Sequence, residues 1–546
     1  MSMIRIGIAL LASACLGAVA LAPMEDLGAA EIPDGFLLSG DGSGRATAYA
    51  EANKIISWGD MTHVSWLDCT TSGFEVKMRS FNRINGQWSS IYTIGAAEDN
   101  HGGAALTVDS QGYLHTVYHP HHDEFRYRKS LYPNDASAWE DEVLVGQACT
   151  YPTLVCGPDD TLYLTARESN VSPWVVNLYT KPADGSWSSP TSILQADVGG
   201  YAHFMEALAW GPNHQTLHLS TRFYDAGTCH AIGYMKSTDF GQTWTRYDGT
   251  LISLPGTADT LDVIETIDAA DRSYFTNGST LRSGAIAVDN SGVPYVLYNT
   301  LTGLNRPRQA WLATPDAGGG WQKQLLNGWI DGLPAGWGAG VYGGLTIDDR
   351  GQMHAVLQIG DDTNEPAMFG SPSSELVWLE SLDGGLSWTS RLLTDFDPET
   401  PRWLPSIERP TGWNSVEEPG LIYTSGEKGD GLNDILENAV LWAALSPMIP
   451  GDATRDGIVN EKDAQRLAIN WGDADATWDM GDFDEDGAVG PADAAILVAH
   501  WGASANETAS AVPEPAAGSF LSVAVGMWVM RRRGGGTKKK HWKRPC

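Results

Sequence analysis

Basic residues are scarce in this chain: 35 Lys and Arg stand against 67 Asp and Glu in 546 residues, a formal net charge of −32. That balance argues against general nucleic-acid binding, which needs a basic face. It still permits an anionic substrate, provided that the few cations are gathered locally. Cysteine is sparse too, with 6 in all. Four lie in the main body (Cys69, Cys149, Cys156 and Cys229), and the three pairings they allow are not separable by spacing. Cys229-His230 lacks a second pair at ligand spacing, so a zinc site there is not expected. Long helical periodicity is missing from residue 31 to 446, where the pattern is short strands and turns. What is abundant is aromatic and small: 22 Trp, 18 Tyr and 61 Gly. That composition suits an exported β-protein that handles carbohydrate.

The first residues carry Arg5, an apolar run from Ile6 to Ala22, and small residues at Ala18, Ala20 and Ala29-Ala30. This reads as a secretory signal peptide over residues 1–30. Cys15 follows Ala12-Ser13-Ala14, a poor lipidation match.

Residues 31–446 carry a recurrent turn-plus-strand unit: VDSQGYLHTVYH from Val108, CGPDDTLYLTAR from Cys156, WGPNHQTLHLSTR from Trp210, VDNSGVPYVLYN from Val288 and IDDRGQMHAVLQ from Ile347. The spacing, roughly 50 to 75 residues, is that of propeller blades with insertions. Four-stranded sheets arranged radially leave only short edges. Ser237-Thr-Asp239-Phe-Gly241-Gln-Thr243-Trp244 and Ser381-Leu-Asp383-Gly-Gly385-Leu-Ser387-Trp388 both fit S-x-D-x-G-x-[ST]-W. They resemble the Asp box of sialidase-like propellers, with shortened relatives at Asn85-Gly86-Gln87-Trp88, Asp184-Gly185-Ser186-Trp187 and Gly319-Gly320-Trp321. The expected fold is all-β, a seven-bladed β-propeller followed by a small α-helical domain.

That second domain, residues 447–506, is a duplicated unit. Oxygen-bearing residues occupy loop positions 1, 3, 5 and 12 around a glycine at 6: Asp452, Thr454, Asp456, Gly457 and Asp463, then Asp482, Asp484, Asp486, Gly487 and Asp493. Hard oxygen ligands at this spacing are what Ca²⁺ requires. The pair resembles a type I dockerin, which implies a cohesin-like protein partner; Thr454 and Gly490 depart from the usual ligands. In residues 507–546, Val512-Pro513-Glu514-Pro515 precedes an apolar run from Ala516 to Met530 and then Arg531-Arg532-Arg533. The run is about 15 residues, short of the roughly 20 that span a membrane. The tail resembles a PEP-CTERM sorting signal, which implies removal by a sorting enzyme and delivery to the cell surface or exterior.

The stretch from His101 to Ser130 reads as a hairpin, its strands joined by an Asp109–Gly112 turn. Around it lie His101, His119, His121, His122, Arg126, Arg128 and Lys129, an unexpected local gathering of imidazoles and cations in so acidic a chain. The order His101, His121-His122, Tyr151-Pro152, Arg167, then Arg222 and Tyr224 resembles the BNR-repeat propellers that include the ulvan lyases. The resemblance covers most of residues 60 to 446. It implies cleavage of a uronate-containing polysaccharide by β-elimination, with His101, Tyr151 and Arg167 catalytic and His121, His122, Arg222 and Tyr224 contacting substrate. The chemistry asks for these types: a cation for the uronate carboxylate, a base for the C5 proton and an acid for the O4 leaving group. Which of His101 and Tyr151 takes the proton stays open, and no cofactor is required for this chemistry. Three other readings remain. A sialidase would need an early Arg-Ile-Pro motif, which is missing. A hydrolase would draw two carboxylates from Glu206, Glu265 and Asp225. A glycan-binding propeller would bind on aromatic platforms without chemistry.

Overall fold

The turn-plus-strand units recur in space as they do in sequence. The Asp109 carboxylate accepts from the amides of Gln111 and Tyr113 at 3.0 and 2.8 Å. Asp289 does the same for Ser291 and Val293, and Asp348 for Arg350 and Gln352. Each aspartate thereby ends one strand and starts the next. The computed structural model describes residues 35–503 except 50, 226–227, 268–280, 302–306, 364–369, 395–398, 446–448, 455–457, 475 and 485; the side chains of 225 and 228–230 also fall outside it. The expected signal peptide and sorting tail therefore lie outside the described residues, as does Asp456. Among the described residues no helix is long and apolar enough to cross a membrane.

Among the described residues the architecture is all-β with two α-helices, Glu461–Ile469 and Pro491–Ala499, both in the C-terminal module. The described strands form five hydrogen-bonded antiparallel sheets, not seven separate ones. The reason is that two sheets each run through consecutive meanders. In one, the long strand Val143–Cys156 pairs with Asp123–Lys129 on one side and Leu162–Glu168 on the other. In the other, the first strand, Phe36–Gly42, pairs with the last strand of the β-body, Asn438–Ala444, in the register Phe36↔Trp442. It also touches Met61–Thr70 at Gly42↔Asp68. The two ends of the β-body thus meet in one sheet.

Apolar clusters lie between consecutive sheets all the way round. Ile56 and Leu67 of the seam sheet pack with Leu106 and Tyr118 of the next, and Val155 and Tyr163 pack with Leu219 and Trp244. Tyr234 packs with Leu281 and Tyr298, then Leu297 and Leu312 with Leu345 and Val377. Val356 and Trp378 close the cycle against Ile407 and Tyr423 of the seam sheet. The free thiols Cys69, Cys149 and Cys156 are buried in these layers rather than bridged; the Cys229 side chain is not among those described.

The two full Asp boxes are wired alike. Ser237 Oγ donates to Asp239 and accepts the Gly241 amide, both at 2.8 Å, while the Thr243 amide and hydroxyl donate to Asp239 at 2.8 and 2.6 Å. Ser381, Asp383, Gly385 and Ser387 repeat the pattern within 0.1 Å. Gly241 and Gly385 both have φ +86, the left-handed region where a Cβ is costly. The turn aims Trp244 and Trp388 inward, and each indole N–H donates back to its glycine carbonyl at 3.2 Å. Because both indoles are buried between sheets, Trp244→Ala or Trp388→Ala is expected to cost about 3–5 kcal/mol, read by chemical denaturation. An unchanged midpoint would mean that the boxes do not hold the sheets together.

Candidate functional site

The sequence's cluster of cations divides in space. Arg126 pairs with Glu142 at 3.1 Å, Arg128 Nε donates to the Glu140 carbonyl, and Lys129 lies 3.6 Å from Asp109 and over the Tyr113 ring. His119 is bonded to the Ala96 carbonyl. These side chains serve the hairpin itself. His101, His121 and His122, in contrast, stack in a row, with ring centroids 3.9 Å apart for the first pair and 4.6 Å for the second.

Asp99, two residues before His101, organises that row. Its Oδ1 accepts the His101 amide at 2.7 Å and His101 Nδ1 at 2.9 Å, while Oδ2 accepts His121 Nδ1 at 2.8 Å. Burial alone would raise the Asp99 pKa, but these hydrogen bonds outweigh it and hold the carboxyl well below its usual range. With Nδ1–H fixed on Asp99, His101 Nε2 is an acceptor, and it meets Arg45 Nη1. Burial, together with Arg45 and His121, pulls His101 down to about 4, so it is neutral at pH 7. Among the described residues nothing hydrogen-bonds His121 Nε2, whose lone pair stays clear. The Asp99, His101 and His121 ligand atoms lie within 4.8 Å of one another, as a metal site's would. The two imidazole–carboxylate hydrogen bonds account for that approach.

Tyr151 sits at a break in the ladder. Pairing passes from Thr150↔Arg167 to Thr153↔Thr165, and Tyr151 takes φ +61, where Pro152 contributes no N–H. A bulge re-aims the side chain it carries. His122 (φ +72) and Met205 (φ +46) are likewise left-handed, and such residues gather where a site over-determines the backbone. The Tyr151 ring is held between the His203 imidazole, stacked at 4.1 Å, and the Arg167 guanidinium, 4.7 Å from its centroid; Tyr49 meets its edge at 5.0 Å. Among the described residues its hydroxyl has no hydrogen-bond partner. Burial first, then Tyr49 and Tyr201, push the phenol well above its ordinary pKa, opposed by Arg167 and Arg45. It is therefore a protonated group.

Arg167, on Leu162–Glu168, is fully buried, yet only Nη1 is bonded, to the Ala202 carbonyl at 3.4 Å. Nε and Nη2 have no partner. Aromatic rings surround the guanidinium instead: Tyr151, Trp174 at 4.9 Å and Tyr201 at 5.5 Å. Two buried unpaired donors on a charged group are costly, and a carboxylate is the partner their planar fork fits. On the neighbouring sheet, Arg222 donates to the Leu281 carbonyl at 2.9 Å and to His203 Nδ1 at 2.7 Å, and it lies 5.5 Å from the Tyr224 ring. His203 Nε2 is buried without a partner.

The structure thus brings His101, His121, His122, Tyr151, Arg167, Arg222 and Tyr224 to one end of three sheets. Arg45, Tyr49, Asp99, Trp174, Tyr201 and His203 complete the group and were not singled out from sequence. Of these, only Asp99 had a local signal, its place two residues before a histidine. The hydrolase carboxylates do not converge. Glu206 is fully buried, raised to about 8 chiefly by desolvation, whereas Glu265 pairs with Lys323 at 2.9 Å on an outer strand. The Asp225 side chain is outside the described residues.

In the C-terminal module, oxygens of Asp482, Asp484 and Asp486 lie within 4.8 Å of one another, and Asp482 Oδ1 is buried without a partner. Burial and the neighbouring carboxylates Asp493, Asp486 and Asp484 raise the Asp482 pKa. These residues fit a hard cation. Asp493 accepts the amides of Phe483 and Gly490, both at 2.7 Å, closing the loop onto its helix. In the first loop, Thr454 Oγ1 donates to Asp463 at 2.9 Å and to Asp452 at 3.3 Å.

Comparison with known proteins agrees with the fold. A curated ulvan lyase of Pseudoalteromonas sp. (strain PLSV) is 24% identical over 268 residues, 40% of this chain and 52% of the relative. One from Alteromonas sp. (strain LOR) is 23% identical over 334 residues, 53% of this chain and 64% of the relative. The chain therefore spans about half to two thirds of these relatives. The solved structure of a PL25 ulvan lyase bound to -[GlcA(1-4)Rha3S]- superposes with a TM-score of 0.57 at 16% identity, over 75% of this chain and 95% of that one. The polysaccharide lyase Uly1 gives 0.50 at 14% identity, over 76% and 98%. Residues 45–329, over half of the sequence, match the description "BNR repeat-containing family member", and the chain belongs to that family.

Proposed function

We propose that this chain is a secreted polysaccharide lyase that cleaves a uronate-containing, ulvan-like anionic polysaccharide by β-elimination. The observation that carries the reading is Arg167, a buried guanidinium with Nε and Nη2 unpaired beside a tyrosine and a histidine row. In this scheme the substrate carboxylate enters past Tyr201, a residue 46% exposed, and takes the open fork of Arg167. Neutralising that charge acidifies the C5 proton. A base removes it, the C4–O4 bond breaks as the C4=C5 bond forms, and the leaving oxygen takes a proton from Tyr151. The raised pKa of Tyr151 supports the acid role. His101 has its Nε2 engaged by Arg45, whereas His121 has an open Nε2 and the same aspartate behind it. We therefore assign the base to His121 and read His101 as the group that, with Asp99 and Arg45, holds it in place.

We further propose that the ring consists of seven blades, grouping the strands by meander rather than by hydrogen-bonded sheet. Residues 447–506 form the dockerin-like domain, with Asp452, Thr454, Asp456 and Asp463, then Asp482, Asp484, Asp486 and Asp493, as its Ca²⁺ residues. The ion, when bound, supplies folding order rather than chemistry. A cohesin-like protein is its proposed partner. Residues 1–30 and 507–546 direct export and sorting to the cell surface or exterior.

Incubation with ulvan or another uronate polymer should yield an unsaturated uronate, followed by its ultraviolet absorbance. Tyr151→Phe and His121→Ala should each lower turnover by about 10²- to 10⁴-fold. Arg167→Lys should lower it comparably with the fold intact, because the ammonium lacks the planar fork. Retention of a uronate polymer on an affinity gel with no unsaturated product would instead make this a binding propeller. Calorimetry on the full chain should detect Ca²⁺, with Asp482→Asn losing binding at the second loop; no heat of binding in the wild type would end the calcium reading.

A further inference from the structure

The C-terminal module does not hang free of the β-body. Its first helix, Glu461–Ile469, buries Arg466, and Arg466 faces two ways. Nη1 donates within the module, to the Ala453 carbonyl at 2.6 Å and to Asp479 at 3.3 Å. Nη2 donates across to the carbonyl of Arg83, and the guanidinium lies 6.0 Å from the Phe81 ring. One turn on, Asn470 Nδ2 donates to the Asn85 carbonyl at 2.9 Å while also holding the Met480 carbonyl at 3.0 Å. The receiving turn is the shortened Asp box at Asn85-Gly86-Gln87-Trp88, built by Asn82 Oδ1 accepting from Ile84 and Asn85. Gly86 has φ +71, and a Cβ there would stand 2.2 Å from the Asp479 carbonyl oxygen.

The docked turn has a particular address. It joins Gly73–Asn82 to Gln87–Trp88 in the seam sheet, where the first and last strands of the β-body pair. Trp88 behind it packs on Phe36 and Phe81 at 5.1 Å each and on Trp442 at 5.5 Å, so one ring touches both ends of the closure. On the module side, the segment Trp478–Met480 that presses on Gly86 leads directly into Asp482, the buried first position of the second loop.

We propose that the module is a calcium-dependent clamp on the seam, with the turn Arg83–Gly86 of the same chain as its docking partner. The proposal rests on the calcium reading above. An ion at Asp482, Asp484 and Asp486 relieves their mutual repulsion and orders the segment before them. That segment and the helix beside it then present Asp479, Arg466 and Asn470 to the turn as one surface. The face bearing Arg466 and Asn470 is thereby committed within the chain, and a protein partner must use another face of the module.

Hydrogen–deuterium exchange on the full-length protein, with Ca²⁺ and with a chelator, tests this at residues 82–88, with calorimetry run in parallel. Ca²⁺ should slow exchange there by about tenfold or more, the factor that one or two hydrogen bonds supply. Gly86→Asn should abolish the protection while Ca²⁺ binding persists, since asparagine tolerates φ > 0 and only its added Cβ obstructs Asp479. Arg466→Ala should do the same from the module side. Ca²⁺ binding with unchanged exchange at 82–88, or protection that survives chelation or Gly86→Asn, overturns the clamp and leaves the calcium reading standing. Absence of Ca²⁺ binding overturns both.

Discussion

The pairing of Phe36–Gly42 with Asn438–Ala444 is the constraint on which everything else depends. It joins segments about 400 residues apart, so its loop-closure entropy must be offset by what the closed ring buries. Part of the gain is the layer that only closure assembles, Leu38, Val64 and Trp66 with Ile422, Val440 and Trp442. Closure also carries polar wiring inward: Ser57 donates to Glu408, Asn53 to the Arg409 carbonyl, and Thr47 to the Leu404 carbonyl at 2.6 Å. The segment that bears Arg45 and Tyr49 leads out of the first seam strand, Phe36–Gly42, toward Ile55–Trp58 and so is positioned by the same closure.

The site's electrostatics follow from that geometry. Three sheets converge, and each contributes a cation or imidazole from a loop or strand near its inner edge, so a chain of strongly negative charge presents a locally positive end. Carboxylates lie among them too: Glu98 accepts the His121 amide at 2.9 Å, and the hydrogen bonds from His101 and His121 keep Asp99 ionised. Burial does the remaining tuning: it keeps His101 neutral and Tyr151 protonated. Arg167 bears the cost of the arrangement, because its aromatic surroundings desolvate the fork without bonding it.

Much of the fold was legible in sequence because local chemistry writes it. The Asp turns at Asp109, Asp289 and Asp348 and the two Asp boxes are closed by hydrogen bonds spanning two to four residues, so spacing alone displays them. His101, Tyr151 and Arg167 were reached differently, through the resemblance in motif order, although each lies next to a strand signal or a proline. Arg45, Tyr49 and His203 were not legible. They lie in segments without periodicity or turn chemistry, and they join the site only through sheet packing across long sequence distance. The basic run from Arg126 to Lys129 misled for the complementary reason: its charges look concentrated in one dimension, yet strand alternation and cross-strand partners disperse them. The sheet count differed because two strands each join consecutive meanders, Val143–Cys156 in one sheet and Phe36–Gly42 at the seam. The clamp was invisible in the same way, since Gly86 reads as an ordinary turn glycine until Asp479 is seen against it.

The account's central claim is that the open fork of Arg167 is a carboxylate receptor set beside an acid and a base. The most direct measurement is a crystal structure of the Tyr151→Phe protein with a uronate oligosaccharide bound. The account predicts a uronate carboxylate within hydrogen-bonding distance of Arg167 Nε and Nη2, with C5 facing His121 Nε2 and O4 facing the position the Tyr151 hydroxyl would occupy. A sugar bound with its carboxylate on Arg222 or Arg45, and Arg167 still enclosed by its aromatic rings, would contradict it.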